Sequence, residues 1–103
     1  GSIKIPLIPK SCEANGHLFY LLMKNYSERA NFINFMNLSE INCIFHYIPL
    51  HSSPAGMKFG RTGSSMEITE SISSRLVRLP FWIGLDTTIV TEHFTKWHCK
   101  QNS

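Results

Sequence analysis

Apolar residues arrive along this chain in short blocks, and the length and period of each block predict an element. Asn15-Gly16 is a turn signal, and the run after it, His17-Leu18-Phe19-Tyr20-Leu21-Leu22-Met23, is continuous, aromatic and of strand length. It predicts a strand buried on both faces. Next, Ser27 can accept from the free N–H groups that open a helix, Glu28 suits the positive end of its dipole, and Phe32, Phe35, Met36 and Ser39 share one helical face as far as about Leu38. Cys43-Ile44-Phe45-His46-Tyr47-Ile48 predicts a second strand, which Pro49 ends by withholding a backbone donor. Residues 49–67 show no period and are rich in Pro, Gly and Ser, so they read as a long connection of the kind that is either functional or disordered. Thr69 is placed to cap a short helix over 70–77, with Ile72, Leu76 and Leu79 inward, and Arg78-Leu79-Pro80-Phe81-Trp82 reads as an edge strand that tolerates its proline. Asp86 caps a last helix whose Ile89, Val90, His93, Phe94 and Trp97 make an apolar stripe.

The order strand, helix, strand, long loop, helix, short strand, helix gives an α+β fold: a small sheet of about three strands with helices packed on it. Gly1-Ser2 reads as a cloning scar, residues 3–14 as an extended lead-in held open by Pro6 and Pro9, and residues 15–103 as the domain itself. Composition narrows the classes further. A chain of 103 residues has room for one core, and 43% hydrophobic against 17% charged residues places it among globular proteins. No apolar run reaches the roughly 18–20 residues of a membrane span, and the start of the chain lacks a signal-peptide layout, so the expectation is a cytoplasmic protein with no membrane partner. The net charge of +3 comes from scattered basic residues, which argues against a nucleic-acid partner. Cys12, Cys43 and Cys99 are odd in number and far apart, which fits a reducing compartment better than a disulfide framework.

Candidate chemistry is sparse. The five histidines lack the accompanying ligands of a known metal spacing, so no metal is expected; there is no GxSxG, HExxH or Gly-rich phosphate loop, and no catalytic residue is assigned. What remains is Phe45-His46-Tyr47-Ile48-Pro49-Leu50-His51, two imidazoles and a phenol where a strand empties into the long loop. In a regular strand His46 and Tyr47 point to opposite faces, so one site can use both only if the strand ends there. The competing reading is structural: a buried tyrosine with a satisfied hydroxyl beside an exposed histidine.

Taken in order, Asn15-Gly16-His17-Leu18-Phe19-Tyr20, Phe45-His46-Tyr47-Ile48-Pro49-Leu50-His51, Pro54-Ala55-Gly56 with Phe59-Gly60, Thr69-Glu70, and Ser74-Arg75-Leu76-Val77-Arg78-Leu79-Pro80 resemble the C-terminal domain of the DegT/DnrJ/EryC1/StrS sugar aminotransferases, enzymes of the fold-type I pyridoxal-phosphate class. Within that family the chain looks closest to the dTDP-4-keto-6-deoxy-glucose 4-aminotransferases of enterobacterial common antigen and lipopolysaccharide synthesis. The resemblance implies a parent enzyme several times longer that moves an amino group from glutamate to the 4-keto carbon of a dTDP-sugar. It also implies that an N-terminal large domain, absent here, carries the Schiff-base lysine and binds pyridoxal phosphate, that the parent is a homodimer, and that this piece alone holds no cofactor and is inactive. The substrate-binding residues it implies are Tyr47, His46 and His51 on the pocket wall, with Lys58 and Arg61 toward the nucleotide diphosphate and Asn15 and His17 at the cleft. Arg75 and Arg78 flank a motif expected to pack between domains. The alternative from another class is a free-standing α+β module that binds a nucleotide or nucleotide sugar without chemistry.

Overall fold

A computed structural model describes residues 3–103; the scar read at Gly1-Ser2 lies outside them. Three antiparallel strands make the sheet, β1 (Tyr20–Leu22), β2 (Ile44–Phe45) and β3 (Leu76–Arg78), in the order β1-β3-β2. Tyr20 lies opposite Arg78 and Leu21 opposite Val77 on one side of β3, and Ile44 opposite Arg78 and Phe45 opposite Val77 on the other. The strand expected at the edge over 78–82 is therefore central and starts earlier. Val77, fully buried and paired on both sides, outweighs the local helical spacing, and the ladder stops before Pro80, which has no N–H to give it.

The run at 17–23 is covered on one face only. Leu21 and Met23 point into the core while Tyr20 and Leu22 between them are half-buried, the period-2 pattern of a sheet with helices on one side; Phe19, just before the strand, is exposed. The lead-in is docked: Lys4 and Leu22 exchange both backbone hydrogen bonds, at 3.0 and 2.8 Å, and so cover the outer edge of β1.

Helix α1 (Tyr26–Leu38) begins earlier than expected because its cap is Asn25 and not Ser27. Asn25 Oδ1 accepts from the Glu28 N–H at 2.8 Å, while Glu28 Oε2 reaches back to accept from the Lys24 N–H at 2.6 Å, a reciprocal pair that satisfies two donors at the start of the helix. Helix α4 (Thr87–Gln101) has the expected cap, Asp86, whose carboxylate accepts from the Thr88 N–H. Its inward stripe is Val90, Phe94 and Trp97. Ile89 faces solvent, and the half-buried His93 hydrogen-bonds back to the Ile89 carbonyl.

Two short elements occupy the connection expected to be irregular: a 3₁₀ turn (Leu50–Ser52) and α2 (Pro54–Phe59). Ser53 joins them, its hydroxyl donating to the Leu50 carbonyl and accepting from the Gly56 N–H, with Pro54 in the first helical turn where a missing N–H costs nothing. Helix α3 (Glu67–Arg75) starts before Thr69, which therefore does not cap it, and passes directly into β3. Two arginines bind α3 to the rest. Arg29 donates to the Ser73 carbonyl at 2.9 Å, and Arg75 donates to the Ser71 and Met23 carbonyls, so Arg75 serves contacts inside this domain.

The core is one cluster, Leu21, Met23, Phe32, Met36, Ile41, Cys43, Val77, Val90 and Trp97. Phe32 meets Trp97 and Phe94 edge to face, with ring centroids 5.0 and 6.1 Å away. Cys43 sits fully buried among these groups, and burial pushes its thiol up from 9.0 to about 12. Cys12 and Cys99 are exposed. An aromatic disulfide reagent at pH 8 should accordingly titrate two thiols quickly and the third only at the rate of unfolding; three fast thiols would refute the burial. The sign of the linkage follows: the folded state keeps its proton where the unfolded thiol has lost one. This group's contribution to stability is therefore intact below pH 9.0 and declines as pH rises toward about 12.

Candidate functional site

The end of β2 is where several of the candidate side chains gather. Beyond Phe45 the chain leaves the ladder, and Pro49 opens the 3₁₀ turn, so residues 46–51 cross the surface between α1 and α3 with their side chains free of the core. Phe45 lies toward α1, its ring 5.7 Å below the Arg29 guanidinium, and Tyr26 caps the same guanidinium at 4.9 Å. Tyr47 follows Phe45 to that side and lines a hollow of about 460 Å³ with Tyr26, Arg29, Glu70 and Ser73. His46 lines an adjoining, more apolar hollow of about 480 Å³ walled by Ile68, Ile72 and Leu76, to which Tyr47 also contributes. The strand ends at Phe45, so the opposite-face rule of a regular strand does not hold His46 and Tyr47 apart: they share that hollow and their rings meet edge to face at 4.6 Å. Tyr47 is exposed, which removes the reading of a buried, satisfied tyrosine.

His51 stands on the 3₁₀ turn and lines a third hollow, of about 570 Å³, with Met57, Gly60, Arg61 and Thr62. Its Nε2 lies 2.6 Å from Glu70 Oε1 on α3. His46, Tyr47, His51 and Arg61 are therefore brought to one region of three adjoining shallow hollows. Lys58 is on the exposed side of α2, its ammonium 5.0 Å from the Phe59 ring. Asn15 and His17 hydrogen-bond each other at 2.6 Å, and His17 lines a separate small hollow with Ile44, Arg78, Phe81 and Trp82. Sequence reasoning missed Glu70 and Arg29 as members of the site. Glu70 stood within a quoted motif without a role, and Arg29 is reachable only once α1 and β2 are known to be neighbours.

The surface can hydrogen-bond hydroxyls and phosphate oxygens through a phenol, two imidazoles and guanidinium groups, and it offers ring faces to a sugar or base. It does not fit pyridoxal phosphate as a covalent ligand. Such a lysine must be desolvated and aimed, and every lysine of this chain from Lys4 to Lys100 is exposed. Among the described residues no three His, Cys, Asp or Glu side chains are grouped to hold a metal ion, and no helix is long and apolar enough to cross a membrane.

Comparison with known proteins adds to this geometry. The sequence model of the DegT/DnrJ/EryC1/StrS aminotransferase family matches residues 2–94. The fold is similar to that of DesV from S. venezuelae, solved in complex with a ketimine intermediate, at a TM-score of 0.81 and 22% identity, with 94% of this chain and 26% of that one covered. It is also similar to the aminotransferase TlmJ from Streptoalloteichus hindustanus, at 0.79 and 19% identity over 98% of this chain and 27% of that one. A DegT DnrJ EryC1 StrS aminotransferase from Brucella abortus aligns at 0.79 and 18% identity, over 98% and 26%. The chain thus spans about a quarter of the length of these structures.

Proposed function

This chain belongs to the DegT/DnrJ/EryC1/StrS aminotransferase family, and from that premise we propose that it is the C-terminal small domain of a sugar-nucleotide aminotransferase whose large domain binds pyridoxal phosphate. The parent enzyme moves an amino group, with glutamate as donor, to the 4-keto carbon of a dTDP-4-keto-6-deoxy-hexose. It works in the cytoplasm as a homodimer, in the synthesis of enterobacterial common antigen or lipopolysaccharide. The cofactor supplies the amino-transfer chemistry and is held by the large domain; this chain's residues bind and orient. Tyr47, His46 and His51 form the sugar-nucleotide wall, Arg61 beside His51 meets the diphosphate with Lys58 as an outer charge, and Asn15 and His17 stand at the cleft.

One observation carries the reading: a family match over residues 2–94 belongs to a chain that spans only 26–27% of its solved relatives. The surface supports it. Leu7, Leu50, Phe59, Phe81, Trp82 and Ile83 are all exposed, and they suit a covering large domain. An antibody against residues 54–66, used on a lysate of the source cells, should reveal a polypeptide several times larger than 11.8 kDa. A native product of 11.8 kDa would overturn the enzyme and leave a nucleotide-binding module.

A further inference from the structure

We propose that Glu70 is a positioning residue for His51, and that it turns the imidazole into a hydrogen-bond acceptor toward its hollow. The inference rests on the reading of His51 as part of a sugar-nucleotide wall and adds to it the kind of substrate group His51 meets. His51 comes from the 3₁₀ turn and Glu70 from α3, so no local turn forces them together, yet Nε2 and Oε1 are 2.6 Å apart. The His51 side chain is only 18% exposed and its Nε2 is buried, whereas the Glu70 side chain is 50% exposed and free to turn. That nitrogen makes no hydrogen bond in the structure: the carboxylate oxygen is at contact distance but off the ring N–H axis, and no other protein group serves it.

The protonation pattern follows from the pair. A lone pair on Nε2 would face a negatively charged oxygen at contact distance, while an N–H there gains a charge-assisted bond and satisfies a buried polar atom. In the neutral ring the proton therefore sits on Nε2, and the lone pair is left on Nδ1. An Nδ1 lone pair accepts; it does not donate. His51 thus takes a hydrogen bond from a sugar hydroxyl or a base N–H, and the diphosphate oxygens, which only accept, fall to Arg61 in the same hollow. Glu70 also walls the neighbouring hollow of Tyr47 and Arg29, so one carboxylate fixes the boundary between two parts of the site.

Long-range ¹H–¹⁵N correlation spectra of the ¹⁵N-labelled chain, at a pH where its imidazoles are neutral, test this directly. The expected result is a His51 ring with a protonated Nε2 and an unprotonated Nδ1, its Nε2–H proton visible through slow exchange with water. Glu70→Ala should lose that proton signal and mix the two tautomers, while Glu70→Gln, whose amide oxygen still accepts, should retain the Nε2–H form. Backbone amide spectra report whether each variant keeps its fold, and if the Ala variant does not, the exchange rate of the proton in the Gln variant decides. A proton on Nδ1 in the unsubstituted chain, or a spectrum indifferent to Glu70, would overturn the proposal. Neither outcome depends on the size of the native polypeptide, so failure of the pair and failure of the enzyme reading are separate results.

Discussion

Phe32→Ala should remove a large part of the stability of this domain. The side chain is fully buried at the meeting of α1 and α4, with Trp97 and Phe94 against its edges, so truncation loses the transfer energy of the ring, opens a cavity and deprives two aromatic partners of contact. Such substitutions cost about 3–5 kcal/mol, against a total of about 5–15 kcal/mol for an ordinary domain. At about 4–8 °C per kcal/mol the thermal midpoint should fall by roughly 12–40 °C. Phe32→Leu, which keeps much of the volume, should cost a fraction of that. Calorimetry of the two variants checks the ordering. A drop of only a few degrees for the Ala variant would mean that the interface between the two helices is not the principal core.

Gly56→Ala should break the site and spare the domain. In an ordinary helix the change from glycine to alanine stabilises by about 1 kcal/mol. Here a Cβ at position 56 would stand 1.6 Å from the Leu50 carbonyl oxygen and 2.7 Å from its carbon. These are backbone atoms of the turn on which α2 is stacked, and neither can swing aside, so steric overlap outweighs propensity and the turn and helix must separate. His51 lies inside that turn and would leave Glu70 with it. Neither the 3₁₀ turn nor α2 contributes a buried residue, so the cost is local. Limited proteolysis should cut between residues 49 and 62 at least tenfold faster, with a thermal midpoint within a few degrees of the parent. Unchanged cleavage would show that the close stacking of α2 on the turn does not exist in solution.

Elements with both a start signal and a repeating face were legible in the chain. Asp86 followed by Val90, Phe94 and Trp97 placed α4, and Phe32 with Met36 placed α1 although its cap was set two residues late. Helix α2 escaped because its 6 residues are too few to display a period, although Ser53-Pro54, a capping hydroxyl followed by a proline, marked its start. The central strand was misread for a different reason. Ile72, Leu76 and Leu79 fit a helical face when viewed locally, and only pairing with two distant strands makes 76–78 extended. The site divides along the same line. His46, Tyr47 and His51 were visible because they fall within six residues around Pro49, where the strand ends, whereas Glu70 comes near them only through a contact between the 3₁₀ turn and α3. The placement of His17, with Asn15 bonded to its ring, in a hollow of its own needed the pairing of β2 with β3, which supplies Ile44 and Arg78 as its walls.

The position of β3 has a consequence for how the chain acquires its structure during synthesis. The first two strands do not pair with each other; among the three strands each is joined only to the third, and Tyr20 must wait for Arg78. Until then Leu21 has no partner strand, and Phe32 lacks the Trp97 ring that emerges later still. The ribosome thus releases most of this domain as apolar surface awaiting its final quarter. Its folding is a late, long-range closure, of the kind that is slow and draws on chaperones, and a chain broken off before Val77 would have no sheet to build.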